Sequence, residues 1–195
     1  MALTGNNGGD HALAVAPDPA TVVGLPGEFA LALCRIEPEN NVAMILEGFA
    51  QLPDHPLVFV GNWDNSEYGR VLRKQYSETE HIHLLDPVYD PGALRHLRDR
   101  AWLYVHGHSA GGTNPSLVEM MHFAIPILAH ECEFNQYTTE GKASYFRTAR
   151  ELADRVRAID STTGDDIGQH MLKIARARYV WAEIGKAYYE VLESQ

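Results

Sequence analysis

Short apolar runs of strand length alternate with stretches of helical spacing along most of this chain. The strand-like runs lie at 29–34, 57–60, 82–85, 102–105 and 126–129. Each is followed by a stretch with a helical repeat; after the first run, the apolar positions are Val42, Ile45, Leu46 and Phe49. Alternation of this kind predicts β-α units on a parallel sheet whose two faces are covered by helices.

The two ends of the chain depart from this alternation. Residues 1–26 are rich in Gly, Asn, Asp, Ala and Pro without a sustained period, which predicts a linker or hinge arm with little core. Residues 27–195 are predicted to form one domain. A short segment at 143–146 precedes helices over 149–195, with apolar stripes at Ile167, Met171 and Ile174 and at Trp181, Ile184, Tyr188 and Val191. The expected fold class is α/β: a Rossmann-like, doubly wound parallel sheet with C-terminal helices.

Composition and charge narrow the class of protein. A chain of 195 residues that is 45% hydrophobic and 22% charged has the make-up of a globular domain. The formal net charge of −10 argues against a nucleic-acid partner, because duplex binding needs clustered Lys and Arg. Two isolated cysteines, Cys34 and Cys132, favour a reducing compartment and thus the cytoplasm. We expect neither a secretory signal nor a membrane-spanning segment.

In an open parallel sheet, ligands bind beyond the carboxyl ends of the strands, at the point where the strand order reverses. This rule selects the residues that follow the first four predicted strands: Arg35; Gly61 and Asn62; Leu85 and Asp86; and 106–114. A binding cleft is therefore expected among these residues.

The residues after the fourth strand have the pattern of an anion-binding loop. Gly111 and Gly112 lead into a helix whose start is marked by Asn114 as N-cap and by Pro115 in the first turn. Backbone N–H groups at such a start suit a diphosphate. The same pattern also occurs where a tight turn merely needs glycine and a helix merely needs a cap, and that alternative stays open.

Two charged side chains near this loop each allow two interpretations. Glu119 lies in an otherwise apolar helix, so its carboxylate needs a partner. That partner is either internal, such as Arg35 or a backbone N–H, or the vicinal hydroxyls of a nucleotide ribose. Arg35 either forms a surface ion pair with Glu37 or Glu39 or neutralises a diphosphate in the cleft.

The ten histidines raise the question of a metal site. His81 and His83, and likewise His106 and His108, fall at alternate positions, but no third ligand follows at a recognisable spacing. We therefore expect no metal. His106 and His108 are expected to line the cleft as neutral hydrogen-bonding groups or to satisfy backbone atoms of the loop.

These motifs resemble the C-terminal, donor-binding domain of a two-domain GT-B glycosyltransferase, from the retaining superfamily that includes glycogen and sucrose synthases. The most specific mark of that superfamily is a Glu-x7-Glu element followed by Leu-Glu-Ala-Met-Ala-x-Gly-x-Pro-Val. Residues 118–127 are similar to it, with Glu119 at the second glutamate. Gly111 occupies the position of the first glutamate, and Asn40 occupies that of a lysine which usually contacts the diphosphate. The resemblance extends over residues 8–191.

Three further segments, 35–41, 106–117 and 133–135, resemble a bacterial, rhamnosyltransferase-like branch. This likeness implies a deoxythymidine diphosphate (dTDP)-linked donor such as dTDP-rhamnose. Residues 8–12 resemble the hinge after the N-terminal domain, so we expect this chain to be one half of a GT-B enzyme. In such enzymes the last helix crosses towards the other domain, and the aromatic residues Trp181, Tyr188 and Tyr189 are accordingly expected to be partly exposed.

The resemblance implies transfer of a sugar from a nucleotide diphosphate donor to an acceptor hydroxyl, saccharide or lipid-linked, during cell-surface polysaccharide synthesis. The full enzyme would act in the cytoplasm or at the inner face of the membrane, without a cofactor, and would bind its acceptor in the N-terminal domain. This half alone would bind donor weakly and would be inactive. The implied donor contacts are Arg35, Asn40, Gly61, Asn62, Leu84, Leu85, His106, His108, Gly112, Thr113, Asn114 and Glu119.

Two alternatives to this function remain. A nucleotide-sugar 2-epimerase has the same two-domain architecture, although it would need acidic residues at the sugar where this chain has Gly111. A non-catalytic nucleotide-sensing domain of Rossmann type is supported by the fold pattern alone.

Overall fold

The computed structural model describes residues 7–20 and 23–193, without the side chains of Ala187 and Val191. Residues 1–6 and 21–22 of the predicted arm, residues 194–195 of the predicted domain, and the Val191 side chain of the predicted stripe lie outside the described part.

Six parallel strands form a single sheet in the order β3-β2-β1-β4-β5-β6. The order reverses between β1 and β4, which are neighbours, as in a doubly wound sheet. The predicted fold class is therefore confirmed. The strands are β1 Phe29–Leu33, β2 Leu57–Val60, β3 Ile82–Leu85, β4 Ala101–His106, β5 Ile127–His130 and β6 Ser144–Phe146.

Eight α-helices connect and follow these strands in the described part of the chain. They are α1 Val42–Phe49, α2 Glu67–Tyr76, α3 Pro91–Arg100, α4 Pro115–Met121, α5 Glu133–Thr138, α6 Ala149–Ala158, α7 Ser161–Arg178 and α8 Trp181–Glu193. Short 3-10 helices occur at Asp10–Leu13, Pro38–Asn40 and Trp63–Asn65. Within the described residues, none of the helices combines the length and the apolar character that a bilayer crossing requires.

The strands bury side chains on both faces because consecutive residues of a strand point to opposite sides. On one face, Ala30 and Phe59 belong to a core that includes Ile45 of α1 and Leu152 of α6. On the other face, Leu31 and Val58 pack in a second core with residues of α3, α4 and α7, namely Leu97, Val118 and Met171. The apolar runs in the sequence are continuous because both faces of the sheet are covered.

The residues before β1 pack against the domain. Ala12, in the 3-10 helix Asp10–Leu13, is buried. The backbone N–H of Gly9 donates to the carbonyl of Tyr179 at 2.7 Å, and that of Asp18 donates to the carbonyl of Gly92 at 2.9 Å. This segment therefore touches both the third helix and the approach to the last one.

The last helix carries aromatic side chains with large exposed fractions. Trp181 and Tyr188 are each 48% exposed, and Tyr189 is 70% exposed. The expectation that part of this aromatic surface is accessible is confirmed.

Candidate functional site

A cleft of about 670 Å³ opens at the carboxyl ends of β1, β2 and β4, next to the reversal of strand order. Its walls come from the loops that follow the first four strands and from the start of α4. The lining residues are Leu33, Cys34, Arg35, Glu39, Asn40, Val60, Gly61, Asn62, Pro87, Val88, Tyr89, Leu94, His108, Ala110, Gly111, Asn114, Pro115 and Ser116.

Hydrogen bonds join the loop after β1 to the loop after β4. The carbonyl of Glu39 accepts from the backbone N–H of Ser109 at 3.0 Å and from its hydroxyl at 2.8 Å. The side-chain amide of Asn41 donates to the carbonyl of Gly107 at 2.8 Å. A Cβ on Gly107 would lie 2.1 Å from the carbonyl oxygen of Asn40, so the close approach of the two loops requires glycine there.

The loop after β1 is also held by its own polar side chains and by the loop after β2. Asn40 is buried, and its amide donates to the carbonyl of Arg35 at 2.8 Å. The Asn62 side chain accepts from the N–H of Ile36 at 2.7 Å. A Cβ on Gly61 would lie 2.3 Å from the Cδ1 of Ile36. These three predicted site residues, Asn40, Gly61 and Asn62, therefore both line the cleft and fix its wall.

Arg35 lies at the edge of the cleft, as the strand-end rule predicts. Its side chain is 75% exposed and its Nη1 lies 3.3 Å from Oε1 of Glu37. Such exposed ion pairs contribute roughly 0–1 kcal/mol to stability. The guanidinium can therefore leave Glu37 at little cost and bind an anionic ligand instead. The surface pair and the cleft position, two alternatives in the sequence, are both present in the structure.

The rings of His106 and His108 are stacked, with centroids 4.4 Å apart and planes 12° from parallel. His106 is buried, and neither ring nitrogen has a hydrogen-bond partner among the described residues. It does not line the cleft, so the expectation that it lines the cleft or satisfies backbone atoms of the loop is wrong for this residue. Burial, reinforced by His108, lowers the pKa of His106 well below its ordinary value. His108 lines the cleft, and burial together with the charge of Arg35 lowers its pKa to about 4, against a smaller opposing effect of Glu39. Both imidazoles are therefore neutral near pH 7.

The start of α4 is capped as the sequence predicts. Asn114 has an extended backbone, and its side-chain oxygen accepts from the N–H of Ser116 at 3.0 Å and from its hydroxyl at 2.8 Å. The buried Tyr104 hydroxyl donates to the Ser116 hydroxyl at 2.9 Å. Gly111 has a φ of +111°, a conformation that favours glycine. Gly112 and Thr113 lie between the lining residues Gly111 and Asn114 without lining the cleft themselves.

Glu119 has internal partners, although Arg35 is not one of them. The Nη2 of Arg98 donates to Oε2 of Glu119, and Nε2 of His11 lies 3.3 Å from Oε1. One carboxylate oxygen therefore has its partner on α3, and the other has its partner on the segment before β1. The sequence reasoning did not identify Arg98. The signal available for it was a charged side chain within a predicted helix, since a charge that becomes buried needs a partner.

The third strand contributes to the cleft through residues beyond its end. Leu84 packs against the core, and the Leu85 carbonyl accepts from the indole N–H of Trp63 at 2.9 Å. Neither leucine lines the cleft, whereas residues 87–89 do. Tyr89, which is 85% exposed, was missed by the sequence reasoning, although the strand-end rule pointed to its loop.

Acidic, thiol and imidazole groups are scattered rather than clustered around this cleft. Within residues 7–20 and 23–193, no group of three or more His, Cys, Asp or Glu side chains is placed to hold a metal ion. The lining instead combines an exposed guanidinium, amides and the neutral imidazole of His108 with apolar side chains. Such a lining suits an organic ligand that carries an anionic group.

A doubly wound sheet with a cleft at its switch point defines a Rossmann-like α/β domain. Residues 23–173 match the model of the family described as glycosyl transferases group 1. The chain belongs to this family and is a glycosyltransferase group 1 domain. No curated protein matches the chain.

Several solved structures share the fold at low sequence identity. HepE of Anabaena in complex with UDP superposes with a TM-score of 0.76 and 18% identity, over 87% of this chain and 50% of HepE. Sucrose-phosphate synthase of Thermosynechococcus elongatus gives a TM-score of 0.76 and 18% identity, over 98% of this chain and 52% of the synthase. The C-terminal domain of the group 1 protein LpcC of Francisella tularensis gives 0.66 and 16%, over 80% and 89%. The chain thus spans about half the length of HepE.

Proposed function

We propose that this domain binds the nucleotide diphosphate part of a sugar donor in the cleft between the loops after β1 and β4. The observation that carries the proposal is the position of the cleft at the switch point, with Arg35 at its edge, in a group 1 glycosyltransferase domain. HepE, whose fold is similar, was solved in complex with UDP, which supports a nucleotide as the ligand here.

The diphosphate is placed beside Arg35. A net charge of −10 repels an anion at long range, so binding needs a local cation, and a guanidinium can hold two phosphate oxygens at once. Neutral His108 supplies a further ring nitrogen to the cleft, and Asn114 brings the start of α4 to it, with Gly112 and Thr113 in the loop directly before. These groups stabilise the diphosphate as a leaving group when the sugar is transferred, so the proposal needs no metal or other cofactor.

The nucleoside is placed along the second and third strand ends. Asn62 and residues 87–89 line this side of the cleft, with Leu84 and Leu85 behind them. Glu119 binds the free hydroxyl groups of the pentose in this proposal, which are the 3′-hydroxyl of a deoxyribose or the 2′- and 3′-hydroxyls of a ribose. It follows Pro115, a lining residue, by one helical turn, so the two side chains share a face of α4.

The enzyme in this proposal transfers its sugar to an acceptor hydroxyl in a cell-surface polysaccharide, from the cytoplasm or the inner face of the membrane. A second domain supplies the acceptor site, consistent with a chain that spans 50% of HepE. The donor is dTDP-rhamnose, which rests on the likeness of residues 35–41 and 106–117 to rhamnosyltransferase-like enzymes. UDP-sugars are the competing donors, because HepE binds UDP and a trehalose-phosphate synthase of similar fold is UDP-forming.

Titration with dTDP, UDP and ADP, followed by thermal unfolding, tests the proposal. A ligand at a hundred times its Kd should stabilise the chain by about 2.7 kcal/mol. In Arg35→Ala the affinity for the diphosphate should fall, while the melting temperature without ligand should barely change because the guanidinium is exposed. The matched control is Arg150→Ala, which removes an exposed cation of α6 outside the cleft.

The absence of thermal stabilisation by any of the three diphosphates would contradict the proposal and favour a domain that does not bind nucleotides. A large loss of stability in ligand-free Arg35→Ala would instead make Arg35 a structural residue. Stabilisation by one nucleotide above the other two would identify the base of the donor.

A further inference from the structure

His11, in the segment before β1, lies against the carboxylate of Glu119. The Nε2 atom of His11 lies 3.3 Å from Oε1 of Glu119, and its Nδ1 atom accepts from the indole N–H of Trp181 at 3.1 Å. An imidazole nitrogen that accepts a hydrogen bond carries no proton, so neutral His11 holds its proton on Nε2. The indole of α8 thereby selects the tautomer whose proton is on Nε2, the ring nitrogen that lies 3.3 Å from the Glu119 carboxylate.

Backbone contacts fix the place of His11. The Asp10 carboxylate accepts from the N–H of Trp181 at 2.9 Å, and the N–H of Gly9 donates to the Tyr179 carbonyl at 2.7 Å. A Cβ on Gly9 would lie 2.6 Å from the carbonyl oxygen of Val118. The segment that carries His11 is therefore held between the start of α8 and the middle of α4.

Arg98 holds the other oxygen of the same carboxylate. Its Nη2 donates to Oε2 of Glu119, its side chain is 8% exposed, and its Nε has no partner among the described residues. Leu94 and Pro115 line the cleft, and each lies four residues before one member of this pair on the same helix. Residues four apart share a helix face, so the pair lies one turn below the lining of the cleft.

We propose that His11 is a positioning residue that keeps Glu119 oriented towards the ribose of the bound nucleotide. The inference rests on the proposed function, since it presupposes that Glu119 binds ribose hydroxyls. A carboxylate has about four acceptor sites, so Arg98 and His11 leave capacity for a ligand. Without His11, the carboxylate is free to turn both oxygens to the guanidinium as a bidentate pair, which leaves fewer acceptor sites for a hydroxyl of the nucleotide.

The test compares nucleotides with and without ribose hydroxyls. The probe is UDP or dTDP, whichever binds the chain more tightly, and it is paired in calorimetric titrations with its 2′,3′-dideoxy analogue, which lacks both ribose hydroxyls of UDP or the single 3′-hydroxyl of dTDP. The wild-type chain should prefer the hydroxylated nucleotide. His11→Phe, which keeps a ring but has no N–H, should reduce that preference about tenfold and leave the Kd of the dideoxy analogue unchanged.

Three further variants separate positioning from folding. Trp181→Phe removes the indole N–H and should reduce the preference in the same direction as His11→Phe. His11→Gln retains an N–H donor and should restore part of the preference. Tyr188→Phe, a matched change on an exposed residue of α8, should leave the preference at its wild-type value.

The outcomes distinguish this inference from the proposed function. Equal weakening of both nucleotides in His11→Phe and Trp181→Phe would reduce His11 to a structural role and overturn the inference. An unchanged preference would also overturn it. A wild-type chain that binds both nucleotides equally would overturn the inference and leave the diphosphate site standing, whereas a chain that binds neither would remove both.

Discussion

Acidification should destabilise the protein through His108, because this imidazole is neutral in the folded chain. Burial and the charge of Arg35 lower its pKa to about 4, with Glu39 acting in the opposite direction. In the unfolded chain the side chain regains its ordinary pKa of about 6.5. The unfolded state therefore binds more protons once the pH drops below about 6.5, and the free energy of unfolding decreases until the pH reaches about 4.

The size of the effect follows from the distance between the pH and the unfolded pKa. A pH of about 5 is roughly 1.5 units below the pKa of this side chain in the unfolded chain. Each unit corresponds to about 1.36 kcal/mol, so the free energy of unfolding decreases by about 2 kcal/mol. His106 acts in the same direction, because burial and His108 lower its pKa as well. A loss of this size is a large part of the stability of a single domain, which is roughly 5–15 kcal/mol.

Urea denaturation at about pH 7 and about pH 5, followed by tryptophan fluorescence, measures the effect. The wild-type chain should lose about 2 kcal/mol more than His108→Asn between these two conditions. His96→Asn, the same substitution on α3 away from the cleft lining, shows what the loss of any one histidine does. Equal losses in wild type and His108→Asn would show that the neutral state of His108 does not govern the acid sensitivity.

Two further substitutions test the packing around the site, each by urea denaturation. Gly107→Ala places a Cβ 2.1 Å from the Asn40 carbonyl oxygen and should cost about 2–4 kcal/mol, whereas Gly112→Ala, with nothing within 4 Å, should stay near wild type. Equal stability of the two would contradict the close approach of the loops. Arg98→Met leaves the Glu119 carboxylate half-buried with His11 as its remaining partner and should cost about 3–5 kcal/mol. Adding Glu119→Gln should recover part of that loss, and a double variant as unstable as the single one would refute the role of the buried charge.

The sheet could be predicted because its signals are local in the sequence. The runs at 57–60 and 82–85 coincide with β2 and β3, since the first is apolar throughout and the second is apolar except for His83, and both have the length of a strand. Asn114 was identified as a cap for a similar reason, because its partner Ser116 is two residues away. Because ligands bind beyond the carboxyl ends of parallel strands, the predicted strands were sufficient to predict the position of the cleft.

The partners of the Glu119 carboxylate could not be predicted, because they depend on how segments distant in sequence meet, whereas the Arg35–Glu37 pair is local and was among the alternatives. The sequence suggested Arg35 or a backbone N–H as an internal partner of Glu119, whereas the structure gives it Arg98 on α3 and His11 before β1. At the end of the third strand, Leu85 was predicted to contact the ligand, whereas residues 87–89 line the cleft in the structure. The Leu85 carbonyl is used by Trp63, a long-range hydrogen bond that no local pattern encodes.

The reversal of strand order gives the cleft one wall from each half of the chain. The loops after β1, β2 and β3 come from residues before β4, whereas Ala110, Gly111 and the start of α4 come after it. A molecule seated between them bridges the two halves. Its binding would therefore oppose any partial opening in which β1 separates from β4, even one that leaves every helix intact. Resistance of the β1–β4 junction to hydrogen exchange or proteolysis would thus record occupancy of a site that neither half can form alone.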